Sequence, residues 1–198
     1  LSRPESRGFA SGGHLDAQAL ACCVRGWAGE GMPYAAPSQT ITYISCHDDW
    51  TLWDKLVCAL DKRRDFAGRD ARVLRANRLA AAILFFCQGR IFLLAGEEFG
   101  RTKLGERNTY ASGAQINRLD WQRAWDNRAL VDYYRGLIAL RRQLPGLCDK
   151  SPQAWRRMLE AEDLAPGVVR TVPDNAGESS RCGRVLLLVN AGEQEVRA

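Results

Sequence analysis

Apolar residues along the chain follow two spacings, which together predict strands that alternate with helices. β-branched and aromatic runs predict strands at residues 39–46 and 90–95, and the second run is apolar enough to be expected buried on both faces, as in a parallel sheet. Apolar positions three and four residues apart predict helices at residues 52–60, 72–87 and 129–144. This order of elements is typical of a parallel sheet or an α/β barrel.

The segments around this region are less regular. Frequent glycine and alanine in the first part of the chain leave room for one short helix at residues 16–24. Residues 99–128 show no clear period, and a loop of that length in a compact domain is usually functional. Later in the chain, Ser151 followed by Pro152 predicts a capped helix that ends near residue 164.

The end of the chain predicts strands again, at residues 168–172 and 184–190. This change of pattern places a domain boundary near residues 146–166. Two parallel strands are too few for a sheet core, so residues 1–146 are expected to be the C-terminal part of an α/β barrel whose other strands lie upstream. Residues 147–198 are expected to form a linker helix and the start of a β domain.

Two groups of acidic residues follow the predicted strands, at the positions where α/β barrels carry functional side chains. The first strand is followed by His47, Asp48 and Asp49, and the second by Glu97 and Glu98. Adjacent carboxylates beside a histidine suit work on a developing positive charge or on sugar hydroxyls. The alternative is that Asp48 or Asp49 only caps the helix that follows.

The charge of the chain favours neither a nucleic-acid partner nor a membrane. Lys and Arg number 28 against 23 Asp and Glu, a net charge of +5. The most basic stretch, residues 61–78, carries seven basic side chains diluted by three aspartates, which favours a solvated helix face over a nucleic-acid-binding surface. No apolar run approaches the roughly 18 residues that a membrane-spanning helix needs.

The sequence contains no motif for a nucleotide or metal cofactor. It has no G-x-S-x-G, G-x-G-x-x-G, Walker or H-E-x-x-H pattern. Its seven cysteines include no C-x-x-C pair, and His14 and His47 are isolated from paired cysteines, so no metal site is expected. Reduced thiols in a chain too long to need disulfides predict a reducing compartment, the cytoplasm.

Five segments follow one another in an order that points to a known family. They read YISCHDDWTLWDKL at residues 43–56, AGEEFGRTK at 95–103, Asn-Thr-Tyr to Asn-Arg-Leu-Asp-Trp at 108–121, VDYYRGLIALR at 131–141 and LLLVNAG at 186–192. Together they resemble glycoside hydrolase family 13, the α-amylase clan. The TLWDKL extension of the first segment is similar to that of the type I pullulanases, which are debranching members of this family.

The resemblance implies a fold and an activity. The fold is the C-terminal part of a catalytic (β/α)8 TIM barrel, followed by the N-terminal part of the family's all-β sandwich domain. The activity is retaining cleavage of α-1,6-glucosidic branches in pullulan, glycogen or starch. The implied partner is therefore an α-glucan, and no cofactor is implied.

The resemblance also implies roles for individual side chains. Asp48 matches the carboxylate that stabilises an oxocarbenium-like transition state, and His47 matches a residue that hydrogen-bonds the same sugar. Asp49 stands where the family usually has asparagine, and its extra charge is expected to repel that of Asp48 or to weaken sugar binding. Three residues match contacts to the neighbouring glucose unit, namely Arg101, Asn108 and Tyr110.

The family's nucleophile and acid/base are not found in this sequence, because no segment resembles the Gly-Phe-Arg-Phe-Asp run in which the nucleophile lies. Retaining glycosidases need both carboxylates, so these 198 residues alone are expected to be inactive. Two alternatives are a non-catalytic glucan-binding or assembly module and a basic nucleic-acid-binding domain. A partial barrel exposes strand edges and apolar faces, which predicts self-association.

Overall fold

A computed structural model describes residues 3–14, 16–176, 182–192 and 195. Helices packed around a parallel strand pair are followed by an antiparallel sheet, so the fold is a mixed α/β arrangement. The α-helices are α1 (Ala17–Val24), α2 (Leu52–Leu60), α3 (Ala71–Phe86), α4 (Ala114–Asn117), α5 (Trp121–Asp126) and α6 (Arg128–Arg141). The strands are β1 (Ile41–Thr42), β2 (Arg90–Ile91), β3 (Met158–Ala165), β4 (Val168–Pro173) and β5 (Leu187–Asn190).

Side chains cap the first three helices at their predicted starts. Asp16 caps α1, and the Thr51 hydroxyl accepts from the backbone N–H of Asp54 at 3.1 Å to cap α2. The Asp70 carboxylate accepts from the backbone N–H of Arg72 at 2.7 Å to cap α3. These oxygens accept hydrogen bonds from N–H groups of the first helical turn, which have no carbonyl acceptor within the helix. The caps therefore fix where each helix begins. The three predicted helices are confirmed to within one residue at each end.

The C-terminal end of α3 is held by a side chain from α6. The guanidinium of Arg141 donates to the carbonyl oxygens of Phe85 (2.5 Å), Cys87 (2.7 Å) and Gly89 (2.8 Å). These carbonyls lie at a helix end, where no backbone donor is available inside the helix. Gly89 then turns the chain towards β2 at φ +78°, and a Cβ there would lie 2.4 Å from the carbonyl oxygen of Pro37.

The two predicted strands of the first part pair in parallel, which confirms the expected arrangement of β1 and β2. Both are shorter than predicted, and in the described residues each pairs on one side only, through two residues. The expectation that the second strand is buried on both faces is wrong. Ile91 is half-buried, and Phe92 is exposed in an edge-on contact with the ring of Tyr43.

The helix predicted from Ser151 to residue 164 is wrong. A short 3-10 helix spans Ala154–Arg157, and β3 follows it and pairs antiparallel with β4. The sequence of β3, MLEAEDLA, consists mostly of helix formers. Pairing with β4, whose Val168 and Val169 are buried, overrides that propensity. The predicted linker helix is therefore a strand.

One buried apolar cluster joins the three-stranded sheet β3-β4-β5 to the helices. The strands predicted at 168–172 and 184–190 correspond to β4 and to the later part of the second prediction, β5. The domain boundary between residues 146 and 147 stays a prediction. The cluster contains residues from both sides of this boundary in the sequence. Its buried members are Ala17, Leu20, Val24, Phe86, Cys87, Leu144, Leu147, Val169, Leu187 and Val189.

The long loop predicted at residues 99–128 contains two short helices, α4 and α5, and the second of them leads directly into α6. The helix predicted at residues 129–144 is confirmed as α6, although it ends three residues earlier in a turn before a 3-10 helix. No helix in the described part of the chain is long and apolar enough to cross a membrane.

Candidate functional site

The first predicted acidic group lies in the connection between β1 and α2. Residues 43–50 form bends and irregular structure there, and His47 Nε2 lies 3.4 Å from Asp48 Oδ2. Both side chains are exposed, at 84% and 80%. The alternative that Asp48 or Asp49 caps the following helix is wrong, because Thr51 supplies the capping oxygen of α2. Asp48 is therefore a solvent-facing carboxylate with no capping role.

A pocket of about 230 Å³ lies beside this connection. Residues that are far apart in sequence meet there, next to the turns that follow β1 and β2. Asp49 is not part of the lining, although Arg107, its ion-pair partner, is. Five of the six predicted site residues line the pocket, namely His47, Asp48, Arg101, Asn108 and Tyr110.

Arg101 is fixed by two backbone carbonyls. Its guanidinium donates to the carbonyl oxygens of Ala95 at 3.2 Å and Asn117 at 2.6 Å. Gly96 makes room for it, since a Cβ at that position would lie 2.6 Å from the Cβ of Arg101. Gly96 also has φ +102°, a conformation that favours glycine. The guanidinium therefore has a defined place in the wall of the pocket.

Asn117 closes the loop that presents Asn108 and Tyr110. Its side-chain amide donates to the carbonyl oxygens of Thr109 at 2.8 Å and Ser112 at 3.1 Å, and its side-chain oxygen accepts from the Thr109 hydroxyl at 2.8 Å. Tyr110, at the rim, is 87% exposed. The sequence patterns assigned Asn117 no role, and its position in the family-like segment 108–121 was the only signal for it.

Asp49 is neutralised by Arg107. The guanidinium donates to both carboxylate oxygens, at 2.7 and 3.2 Å, and lies 4.5 Å above the ring of Trp50. This hydrogen bonding and charge lower the pKa of Asp49. Asp49 has φ +64°, a conformation that Asp and Asn adopt more readily than most residues. Repulsion between Asp49 and Asp48 was expected, but the structure shows an ion pair between Asp49 and Arg107 instead. The sequence did not reveal Arg107 as this partner.

Lys103 is another residue of the pocket that the sequence patterns missed. It is 4% exposed, and its Nζ donates to the carbonyl oxygen of His47 at 2.9 Å. Its backbone N–H donates at 2.7 Å to the buried carboxylate of Asp54, which also accepts from the Thr102 hydroxyl. Burial lowers the pKa of Lys103 and raises the pKa of Asp54. A loop lysine is ordinarily solvated, so its residue type gave no signal.

The second predicted acidic group lies outside the pocket lining. Glu97 is 3% exposed, and its Oε1 accepts from the Ser45 hydroxyl at 2.6 Å and from the backbone N–H of Leu94 at 3.3 Å. Burial raises the pKa of Glu97 to about 7. Glu98 accepts from the backbone N–H of Gly96 at 2.9 Å. Glu97 therefore links the turn after β1 to the turn after β2.

Comparison with curated proteins finds debranching enzymes. The chain is 38% identical over 163 residues to pullulanase from Bacillus subtilis strain 168, a match that covers 81% of this chain and 22% of that protein. It is 30% identical over 141 residues to the glycogen debranching enzyme of Salmonella typhi, over 59% of this chain and 21% of that protein. The chain thus spans about a fifth of the length of these relatives. No protein-family model matches it.

Solved structures match the fold over nearly the whole chain. A mutant pullulanase from Paenibacillus barengoltzii complexed with maltotetraose matches with a TM-score of 0.84 and 32% identity, over 98% of this chain and 31% of that one. Type I pullulanase from Bacillus subtilis strain 168 complexed with maltose gives 0.84 and 34%, over 95% and 26%. The chain belongs to glycoside hydrolase family 13. Within that family it is pullulanase-like.

Proposed function

We propose that the chain supplies part of the substrate site of a retaining pullulanase-type α-1,6-glucosidase, including the carboxylate that stabilises its transition state. The observation that carries the proposal is the pocket in which His47 and Asp48 meet Arg101, Asn108 and Tyr110. A solvent-facing carboxylate beside polar donors suits a sugar whose anomeric centre becomes positively charged.

The proposed roles follow from charge and position. Asp48 stabilises an oxocarbenium-like transition state more than the neutral ground state, while His47, 3.4 Å away, hydrogen-bonds the same sugar. The neighbouring glucose unit contacts Arg101, Asn108 and Tyr110, which present a fixed guanidinium, an amide and an exposed aromatic ring. The nucleophile and the acid/base belong to a longer chain.

The fold proposed for that longer chain is a (β/α)8 TIM barrel followed by an all-β sandwich domain. Residues 1–146 form the C-terminal part of the barrel, in which β1 and β2 are neighbouring parallel strands. Residues 147–198 begin the sandwich domain with β3, β4 and β5. Both proposals are supported by the parallel register of β1 and β2 and by the antiparallel sheet that follows.

The proposed partner is a branched α-glucan, such as pullulan, glycogen or starch, and neither nucleic acid nor membrane is proposed. Support comes from the relatives, whose structures include complexes with maltotetraose and with maltose.

We propose no metal or cofactor, and no group of His, Cys, Asp and Glu in the described ranges is arranged to hold a metal ion. A cytoplasmic location is supported by the seven free thiols, of which Cys148 and Cys182 are exposed.

The 198-residue chain by itself is expected to show no hydrolysis of pullulan, because its sequence carries the proposed stabilising carboxylate without a reacting pair. The measurement is the release of reducing ends by the purified chain against a buffer blank, with the Asp48→Ala variant of the same chain in parallel. Turnover above the blank that Asp48→Ala abolishes would contradict the prediction and place the reacting groups within these residues.

The alternative function, a non-catalytic glucan-binding or assembly module, is favoured by one observation. Ile41 on β1, together with Tyr43 and Phe92 directly after β1 and β2, is exposed and largely apolar, and such a face together with an open strand edge promotes association. Sedimentation of the chain is expected to show species larger than 22.1 kDa. Replacing Ile41 and Phe92 by threonine is expected to shift them towards the monomer, whereas Leu159→Thr, on β3, should not. A wild-type chain that sediments as a monomer at every concentration would exclude self-association.

A further inference from the structure

We propose that Lys103 is a positioning residue for the candidate site, whose ammonium group fixes the backbone carbonyl of His47 and thereby the place of Asp48. The positioning itself is a property of this chain, and its kinetic consequence rests on the proposed function.

The connection after β1 is held on either side of His47 and Asp48, where Ser45 donates to Glu97 and Asp49 pairs with Arg107, but neither contact involves the backbone of these two residues. Both side chains are largely exposed and lie against each other. Cys46 Sγ lies 3.7 Å from the carbonyl oxygen of Asp48, a local contact across two residues. The bond from Lys103 Nζ to the His47 carbonyl oxygen, at 2.9 Å, instead reaches across 56 residues. It therefore ties the His47 backbone itself to the segment that follows β2.

Lys103 is itself held from a rigid helix. Its backbone N–H donates at 2.7 Å to Asp54 in the first turn of α2, and the Thr102 hydroxyl donates to the same carboxylate. Asp54 is fully buried, and the neighbouring Trp53 belongs to the apolar cluster between α2 and α3. The anchor of the Lys103 backbone, Asp54, thus lies outside the pocket lining.

The burial of Lys103 argues for a role at the site more than for a role in stability. Removing a lysine head group from water is unfavourable, and replacing buried ionic groups by apolar residues of similar size is often neutral or stabilising. The surrounding charges are those of Arg101, Asp48 and Asp54. A methionine would retain most of the packing of the lysine stem and lose only the ammonium group and its bond to His47.

The first test uses the 198-residue chain and needs no activity. Backbone order parameters from ¹⁵N relaxation are expected to fall at residues 47 and 48 in Lys103→Met, from about 0.85 to below about 0.6, while those of α3 stay unchanged. Lys62→Met, the same substitution at an exposed lysine, is the control and should change neither region. Unchanged order parameters at 47 and 48 in Lys103→Met would overturn the proposal.

The second test uses the longer enzyme of the proposed function. Lys103→Met is expected to lower kcat about tenfold with a KM change below about twofold, because positioning of Asp48 matters most in the transition state. In an Asp48→Asn background the same change is expected to cost less than about twofold, since the residue being positioned has lost its charge. Equal losses of kcat in both backgrounds would overturn the kinetic part of the proposal.

The two tests separate the failure of this inference from the failure of the proposed function. If the longer enzyme does not act on α-glucans, the proposed function fails and the order parameters still decide whether Lys103 holds the connection. If Lys103→Met does not fold, Lys103→Leu replaces it, because its side chain has no hydrogen-bond donor and removes the same bond. Unfolding of both variants would show that Lys103 serves folding and would overturn the positioning role.

Discussion

Replacing Asp48 by asparagine in the longer pullulanase-like enzyme is expected to lower kcat about a hundredfold or more, equivalent to roughly 3 kcal/mol of transition-state stabilisation. Asparagine retains the shape and part of the hydrogen bonding of Asp48 but removes its charge. A carboxylate that favours a positively charged transition state acts on the chemical step, so KM is expected to change little. Steady-state kinetics on a branched maltosaccharide measures both constants.

Arg101→Ala is the contrasting variant in the same assay. Arg101 is assigned to a glucose unit that does not react, so its loss should raise KM more than it lowers kcat. The backbone carbonyl oxygen of Asn117 loses the Arg101 guanidinium as its donor in this variant, so the thermal stability of the variant is measured alongside. If Asp48→Asn retains wild-type kcat, Asp48 contributes no charge to catalysis and the proposed function loses its central residue.

Local signals predicted the helices well because short-range interactions decide where they begin. Thr51 and Asp70 cap α2 and α3 through bonds to N–H groups two or three residues ahead. Such contacts are visible in the sequence as residue types at fixed spacing. The parallel order of β1 and β2 was also predictable, since helices separate two apolar runs and a crossover of that kind joins parallel strands.

Long-range pairing decided the elements that the sequence patterns missed. Residues 158–165 are rich in helix formers and become β3, because β4 offers a buried, β-branched partner strand. Similarly, β1 and β2 contain only two residues each, because the extent of a strand depends on its neighbours. Neither outcome is encoded in a window of ten residues.

The candidate site divides in the same way. His47 and Asp48 were predictable from a strand followed by acidic residues, and the family-like motifs supplied Arg101, Asn108 and Tyr110. The residues that hold them were not predictable, because their role depends on partners far along the chain. Lys103 reaches His47 across 56 residues, and Glu97 accepts from Ser45 across 52. The residue type of Lys103 carried no signal, and Glu97 was singled out only because it follows a predicted strand.

The buried contact between Glu97 and Ser45 can be tested through the dependence of stability on pH. Its pKa is raised from 4.5 to about 7 by burial, so the folded chain retains a proton that the unfolded chain has released. The contribution of Glu97 therefore lowers the free energy of unfolding by about 3 kcal/mol as the pH rises from about 4.5 to about 7. Above that range its contribution is constant. Other carboxylates titrate in the same range, so the wild-type curve alone does not isolate Glu97.

The difference between wild type and Glu97→Gln isolates it. The amide stays neutral at every pH, and it fits the place of Glu97 Oε2, which has no hydrogen-bond partner among the described atoms. Chemical denaturation of the 198-residue chain is expected to give similar stabilities at pH 4 and a variant more stable by about 3 kcal/mol at pH 8. Ser45→Ala removes a hydrogen bond that favours the charged form, so it should raise the pKa of Glu97 and move the upper end of the transition to higher pH. A difference between wild type and Glu97→Gln that is constant from pH 4 to pH 8 would show that Glu97 does not titrate in this range and that its burial carries no such penalty.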